Sequence, residues 1–193
     1  MKWLKKLYRN KLLRQIVFIA ILLAIWQAVV STGRYSELLL PGLPSIWSAL
    51  VDSASTGELW EHTQYSFYLI GIALGVGALL AFTFTALSMV SDLFADFVKT
   101  ITTIFHPLPG VALLPIALLW FGIGRESIIF ILVHSILWPL ILNTYTGFRS
   151  VSRTQLEVGR NIGLKGLNLV TSVMVPSAFP YILTGFKIAW SNA

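Results

Sequence analysis

Apolar segments long enough to cross a lipid bilayer recur along this sequence. A membrane-spanning helix needs roughly 20 largely apolar residues, and five segments are candidates: residues 12–30, 65–89, 100–121, 127–146 and 180–193. Only 11% of the 193 residues are charged, which is about half the fraction found in soluble domains. Because the chain has too little polar surface to cover a globule in water, the sequence predicts an all-α, polytopic membrane protein.

The basic residues are concentrated in two segments that flank apolar spans. Six of the first 14 residues are basic and none is acidic, and residues 149–165 hold four basic residues against Glu157 alone. Lys and Arg accumulate on the cytoplasmic side of membrane proteins, so the N-terminus is predicted to be cytoplasmic. Four crossings bring the second basic segment to the same side. The charge therefore needs no nucleic-acid partner, and the first span is predicted to be an uncleaved helix rather than a signal peptide.

The third apolar segment is interrupted by prolines. Pro107, Pro109 and Pro115 lie within nine residues, and each removes a backbone N–H donor. In lipid, such a break is tolerated only inside the protein or beside a cavity. Two interpretations follow. The segment is either a broken helix in the bundle interior near a translocation pathway, or a re-entrant loop followed by a helix that begins at Pro115.

Polar side chains inside the predicted spans are candidates for lining that pathway. His106 precedes the first of these prolines, His134 lies in the middle of the fourth span and Asn143 lies towards its end. For each histidine the alternative is a neutral imidazole bonded to a neighbouring backbone carbonyl. Asn143 and Thr144 are also expected to form hydrogen bonds between helices.

Two smaller patterns concern helix packing and position. Gly71 and Gly75 are four residues apart in the second span, which predicts a face of close helix approach. Between the first two spans, Ser45 precedes an amphipathic pattern that predicts a helix at the membrane interface. Trp47 and Trp60 suit the headgroup level.

The sequence contains no recognisable arrangement for catalysis or metal binding. It has no cysteine, and its three histidines are scattered. There is no Ser–His–acid set, no pair of carboxylates within a span and no phosphate-binding glycine loop. The chain is therefore predicted not to be an enzyme and to bind no metal or cofactor itself.

The segment between the fourth and fifth spans, residues 147–176, differs from its apolar surroundings. Thr154 and Glu157 fit a T-x-x-E capping box, which predicts a helix of about three turns through Leu156, Val158, Ile162 and Leu164. Gly163 and Gly166 interrupt it, and a second apolar element leads to Pro176. A loop of this length with structure of its own is typical of a functional element.

This loop resembles the EAA loop of ABC-transporter permeases. Glu157, Gly163 and Pro176 have the family spacing, with Val173 and Val175 as the apolar positions. Val158 and Gly159 stand where the family has two alanines. The segments LPGLPSIWSAL, GELWEH, PIALLWFGIG and NTYTGFRSV resemble permeases of nitrate, sulfonate and taurine importers, and the likeness covers about residues 38–193.

The resemblance implies a single permease domain over residues 1–193 of the type I ABC importer fold, with a cytoplasmic coupling loop at 150–176. It implies two copies of a cytoplasmic ATPase that uses the ATP, a second permease subunit in a homodimer, and an external binding protein. The implied substrate is a small anion such as a sulfonate, taurine or nitrate. The implied coupling residues are Glu157, Val158, Gly159, Ile162, Gly163, Leu164 and Pro176.

The family pattern also sets an expectation about how much of a permease this sequence contains. Such permeases have about six spans, so we expect the sequence to stop at Ala193 before the permease is complete. The alternative function is a structural or channel-like membrane protein whose loop lies on lipid.

Overall fold

The structure is a computed structural model that describes residues 11–193, where it contains helices and no strand. Lys2, Lys5, Lys6 and Arg9, which carry much of the orientation argument, lie outside the described residues. A 3₁₀ turn covers Gly110–Leu113 and a π turn covers Val170–Met174. The α-helices are α1 Lys11–Ser31, α2 Leu43–Ser55, α3 Glu58–Val90, α4 Asp92–Phe105, α5 Leu114–Phe121, α6 Arg125–Arg149, α7 Arg153–Asn161, α8 Gly166–Leu169 and α9 Val175–Asn192.

In the described part of the chain, four helical segments are long and apolar enough to cross a membrane: Lys11–Ser31, Glu58–Val90, Arg125–Arg149 and Gly166–Asn192. The first, second and fourth predicted spans are therefore confirmed, with longer ends. The last span begins well before the predicted residue 180, because α8, the π turn and α9 are continuous. The bent pair Asp92–Phe105 and Gly110–Phe121 gives a fifth candidate.

The third predicted span, residues 100–121, is interrupted at its prolines, as both interpretations expected. Ser91 caps α4 by accepting a hydrogen bond from the backbone N–H of Phe94 (3.3 Å), so the helix begins inside the stretch predicted as a loop. Pro107 and Pro109 cannot continue the helical hydrogen bonds, and the chain bends by 90° between α4 and the 3₁₀ turn. A helix then begins beside Pro115, as the second interpretation expected.

The chain divides into two compact units, Met1–Gln64 and Tyr65–Ala193. In the described part of the first unit, the link between α1 and α2 is held by two side chains of α1. The indole of Trp26 donates to the carbonyl of Pro41 (3.0 Å), and the amide oxygen of Gln27 accepts from the backbone N–H of Leu43 (3.1 Å). The predicted helix near Ser45 is confirmed as α2, with Gly42 as its N-cap.

The second unit is built on the antiparallel pair α6 and α9, whose backbones approach closely at glycines. A β-carbon at Gly147 would lie 2.8 Å from Cβ of Tyr181, and one at Gly185 would lie 2.9 Å from Cβ of Asn143. Small residues of this kind allow helices to pack by van der Waals contact within lipid. The core around this pair includes Ile136, Leu140, Ile141 and Ala189.

The helix α3 packs through a different glycine from the predicted ones. Among residues 11–193, no atom lies within 4 Å of a β-carbon placed at Gly71 or Gly75, whereas one at Gly77 would lie 2.6 Å from Cγ2 of Ile136. The prediction that Gly71 and Gly75 form the close-approach face is therefore wrong within this chain. The buried residues of α3 lie on a different face from Gly71 and Gly75, at Leu69, Ala73, Gly77, Ala81, Thr85 and Ser88.

Candidate functional site

The loop helix α7 begins two residues earlier than its predicted capping box. Ser152 is the N-cap, because its hydroxyl accepts from the backbone N–H of Gln155 (3.2 Å) and the side chain of Gln155 accepts from the backbone N–H of Ser152 (3.1 Å). The capping box of Thr154 and Glu157 is wrong, since both residues lie inside the helix. Glu157 is exposed and takes no part in the cap.

The same helix ends in a Schellman motif centred on Gly163. The backbone N–H of Gly163 donates to the carbonyl of Arg160 and that of Leu164 donates to the carbonyl of Gly159, both at 3.0 Å. Gly163 has φ +87°, a conformation that L-residues with a β-carbon rarely adopt. A glycine at this position therefore reverses the chain sharply after two and a half turns.

Gly159 accounts for the departure from the alanine pattern. It is the buried residue of α7, and a β-carbon there would lie 2.7 Å from Cδ1 of Leu169 and 3.0 Å from Cγ2 of Val173. The helix thus contacts the next helical segment at backbone distance. The resulting fold of the loop is a hairpin in which α7 packs on α8 and the π turn.

The outer face of this hairpin presents apolar side chains to solvent. The exposed fractions of Val158, Ile162 and Leu167 are 55%, 72% and 80%. Leu164 is half-buried against Gly159. We call Val158, Ile162 and Leu167 the loop surface. Pro176 follows the hairpin and lies in the first turn of α9.

A cavity of about 310 Å³ lies where the α4–α5 break meets the middle of α6 and the end of α9. We call it the α6 cavity. Four of the predicted pathway residues, His106, Pro107, Pro109 and His134, line it together. Their role in transport stays a prediction.

Two further predicted pathway residues do not lie at this cavity. Pro115 is in the first turn of α5, and Asn143 donates to the carbonyl of Pro139 (2.8 Å) within α6. The expected interhelical hydrogen bond of Asn143 is therefore wrong. Thr144 is fully buried and its hydroxyl has no hydrogen-bond partner among the described residues.

His134 does not make the backbone hydrogen bond of the alternative interpretation. Neither of its ring nitrogens has a hydrogen-bond partner within residues 11–193, and the same is true of the indole nitrogen of Trp138. Both side chains are 8% exposed. Their ring centroids are 5.7 Å apart, and Phe105 stacks on Trp138 at 5.5 Å.

Trp138 and Asn192 also line the α6 cavity, although neither was among the predicted pathway residues. A local signal for Trp138 was present, because residues four apart share a helix face and Trp138 follows His134 by four. No local signal could have placed Asn192, since only the packing of α9 against α6 brings it to the cavity.

Comparison with known proteins supports the resemblance. Residues 73–193 match the family described as the binding-protein-dependent transport system inner membrane component. The Escherichia coli protein SsuC, named as an aliphatic sulfonates transport permease, is 31% identical over 168 residues, which cover 87% of this chain and 64% of SsuC.

Two other relatives carry related names. The taurine transport permease TauC of Escherichia coli is 28% identical over 201 residues, covering 100% of this chain and 73% of TauC. The nitrate import permease NrtB of Synechocystis is 28% identical over 189 residues, covering 94% of this chain and 68% of NrtB. The chain thus spans about two thirds of the length of these relatives. It belongs to the family of inner membrane components of binding-protein-dependent transport systems.

Proposed function

We propose that this chain is the membrane-spanning subunit of an ATP-driven importer and that the α7 hairpin couples it to a separate cytoplasmic ATPase. The chain binds no cofactor and performs no catalysis, and the partner hydrolyses ATP. The observation that carries the proposal is the α7 hairpin, a compact element held by its own caps that exposes apolar side chains inside a segment matched to the transport family.

The exposed apolar side chains of the loop surface are typical of a site that binds another protein. Isolated exposed apolar residues are common, but Val158, Ile162 and Leu167 occur within ten residues on one hairpin. The flanking residues Arg153, Arg160 and Lys165 are basic. Basic loops are typical of the cytoplasmic side, where an ATPase is available.

The proposed assembly contains two copies of the ATPase, a second permease subunit in a homodimer and an external binding protein that delivers the substrate. The N-terminus and the α7 hairpin lie on the cytoplasmic side. The substrate is a small anion such as a sulfonate, taurine or nitrate, by analogy with the names of the relatives. Among the described residues no buried side chain is Lys or Arg, so neutral donors and the binding protein provide the selection.

A site-specific cross-link tests the coupling role. The chain has no cysteine, so Ile162→Cys introduces a unique thiol on the loop surface. The variant is co-expressed with the ATPase encoded beside its gene, which carries single cysteines around its surface groove. The matched control is Ile123→Cys, which is 99% exposed and precedes the opposite end of α6, about 37 Å from the hairpin end by helix rise.

We expect an ATP-sensitive cross-link from position 162 and none from position 123. Absence of a cross-link from position 162, in a complex shown by gel filtration to be intact, would contradict the coupling role. Binding of the hairpin to anionic vesicles in place of the ATPase would favour the structural or channel-like alternative.

A further inference from the structure

We propose that the α6 cavity is an oxoanion subsite in which the indole N–H of Trp138 and an imidazole N–H of His134 donate hydrogen bonds to anionic oxygens. This inference rests on the proposed importer function. It names the residues of this chain that contact the transported anion.

Trp138 and His134 both carry hydrogen-bond donors that lack an acceptor in the described part of the chain. An indole nitrogen can only donate, and a neutral imidazole always carries one N–H. In the described part of the chain these donors are buried and have no acceptor. A buried unpaired donor costs free energy comparable to a lost hydrogen bond, and most such groups in proteins are satisfied. Two of them on neighbouring turns of one helix therefore indicate an acceptor that is bound during function.

The charge of the residues that line the α6 cavity suits a bound anion. Within residues 11–193, no residue that lines the cavity is acidic, and none is Lys or Arg. A carboxylate would repel an anion, whereas neutral N–H donors in a region of low dielectric form strong hydrogen bonds to a charged acceptor. A permeation site must also release what it binds. Donors without a formal positive charge satisfy both requirements.

The volume of the cavity and the position of the donors along α6 also suit a small transported anion. The cavity volume of about 310 Å³ is at the lower end of the range of small-molecule sites. His134 follows the start of α6 by nine residues, which is about 14 Å of helix rise. A bilayer core is about 30 Å thick, so the donors lie near its middle, where an anion in transit most needs hydrogen bonds.

Phe105 packs against the side chains of both donors. Its ring stacks on Trp138 with an interplanar angle of 11° and meets the edge of His134 at 6.4 Å. Phe105 is the last residue of α4, directly before the break at residues 106–109. Because both nitrogens are buried, binding of an anion to them requires a movement of these rings or of their neighbour Phe105.

Indole N–H resonances provide a direct test. The chain, labelled with ¹⁵N at its seven tryptophan indoles, is placed in lipid nanodiscs and titrated with sodium ethanesulfonate at constant ionic strength. The neutral ethyl methyl sulfone serves as the matched ligand. Trp138→Phe identifies the Trp138 resonance, and Trp120, which lies on α5 with 65% exposure, is the internal control.

We expect ethanesulfonate to move the Trp138 resonance downfield with saturation, and to leave Trp120 unchanged. His134→Leu should weaken the apparent affinity about tenfold, as expected for the loss of one hydrogen bond to a charged group. A Trp138 resonance that does not move, moves equally with the sulfone, or titrates normally in the His134→Leu variant would overturn the subsite. The cross-link at position 162 does not involve the cavity. A cross-link without a Trp138 shift therefore refutes the subsite alone.

Discussion

Gly159 of α7 and Leu169 of α8 approach so closely that a β-carbon at position 159 would lie 2.7 Å from Cδ1 of Leu169. The contact joins the two arms of the hairpin. Since the neighbouring atom is the end of a flexible side chain, a small substituent can be accommodated, and a large one cannot.

Gly159→Ala is predicted to be nearly neutral for the hairpin, and Gly159→Leu to open it. Alanine gains about 1 kcal/mol of helix propensity, which offsets the displacement of Leu169. Leucine exceeds the available space, and overpacking costs about 1–3 kcal/mol. Trypsin cleavage after the exposed Arg160, measured in nanodiscs, should rise for the leucine variant and stay near the wild-type rate for the alanine variant. Equal rates for the two variants would show that the contact does not hold the hairpin.

Gly163→Ala is predicted to fray the end of α7. At φ +87° a β-carbon costs about 1–2 kcal/mol, so cleavage after Lys165 should increase about 5- to 30-fold. Gly33, with φ +65°, is in the same region of backbone space but lies in the first unit. Gly33→Ala should leave cleavage at Lys165 unchanged. A similar increase in both variants would indicate a global effect rather than the Schellman motif.

Ser152→Ala is predicted to weaken the start of α7, and Thr154→Ala is not. Loss of an N-cap costs about 1 kcal/mol, whereas Thr154 lies within the first turn and makes no cap. The measurement is hydrogen exchange of the backbone N–H of Gln155, which donates to Ser152. Protection should fall about fivefold in the Ser152 variant. The opposite order of the two variants would restore the T-x-x-E box.

Gly77→Ala is predicted to destabilise the second unit, and Gly75→Ala to leave it unchanged or slightly more stable. The new methyl group at position 77 meets the branched Ile136 at 2.6 Å, and such overpacking costs about 1–3 kcal/mol. At position 75 no described residue lies within 4 Å of the new methyl group. Thermal unfolding of the solubilised chain, followed by tryptophan fluorescence, should show a lower midpoint for Gly77→Ala alone. Reversed midpoints would show that the packing partner of α3 has been wrongly assigned.

The membrane spans could be predicted from sequence because lipid imposes a minimum apolar length on every crossing helix. That rule does not select which glycine faces a neighbour. Gly71, Gly75 and Gly77 are all compatible with close approach, and only the position of Ile136 on α6 selects Gly77.

The start of α7 shows a second limit of local patterns. Ser152 with Gln155 and Thr154 with Glu157 both match a capping box. The first is used because α6 ends at Arg149 and the extended backbone falls at Ser152. The spacing of Glu157, Gly163 and Pro176 was recognisable, but the burial of Gly159 depended on Leu169 and Val173.

The α6 cavity could be predicted only in part. Prolines 107 and 109 signalled a break, and His134 signalled a polar residue at depth. Trp138 shares a helix face with His134, but the approach of Phe105 to both rings depends on the packing of α4 against α6, which local sequence does not determine.

The helical run from Gly166 to Asn192 is unbroken and connects the hairpin to the α6 cavity. Its first turns contact Gly159 of α7 through Leu169 and Val173. Its last turn places Asn192 at the α6 cavity. The π turn at Val170–Met174 lies between α8 and α9, where the hydrogen-bond register of this helical run is least regular. The hairpin and the α6 cavity thus contact opposite ends of one continuous helical segment of 27 residues.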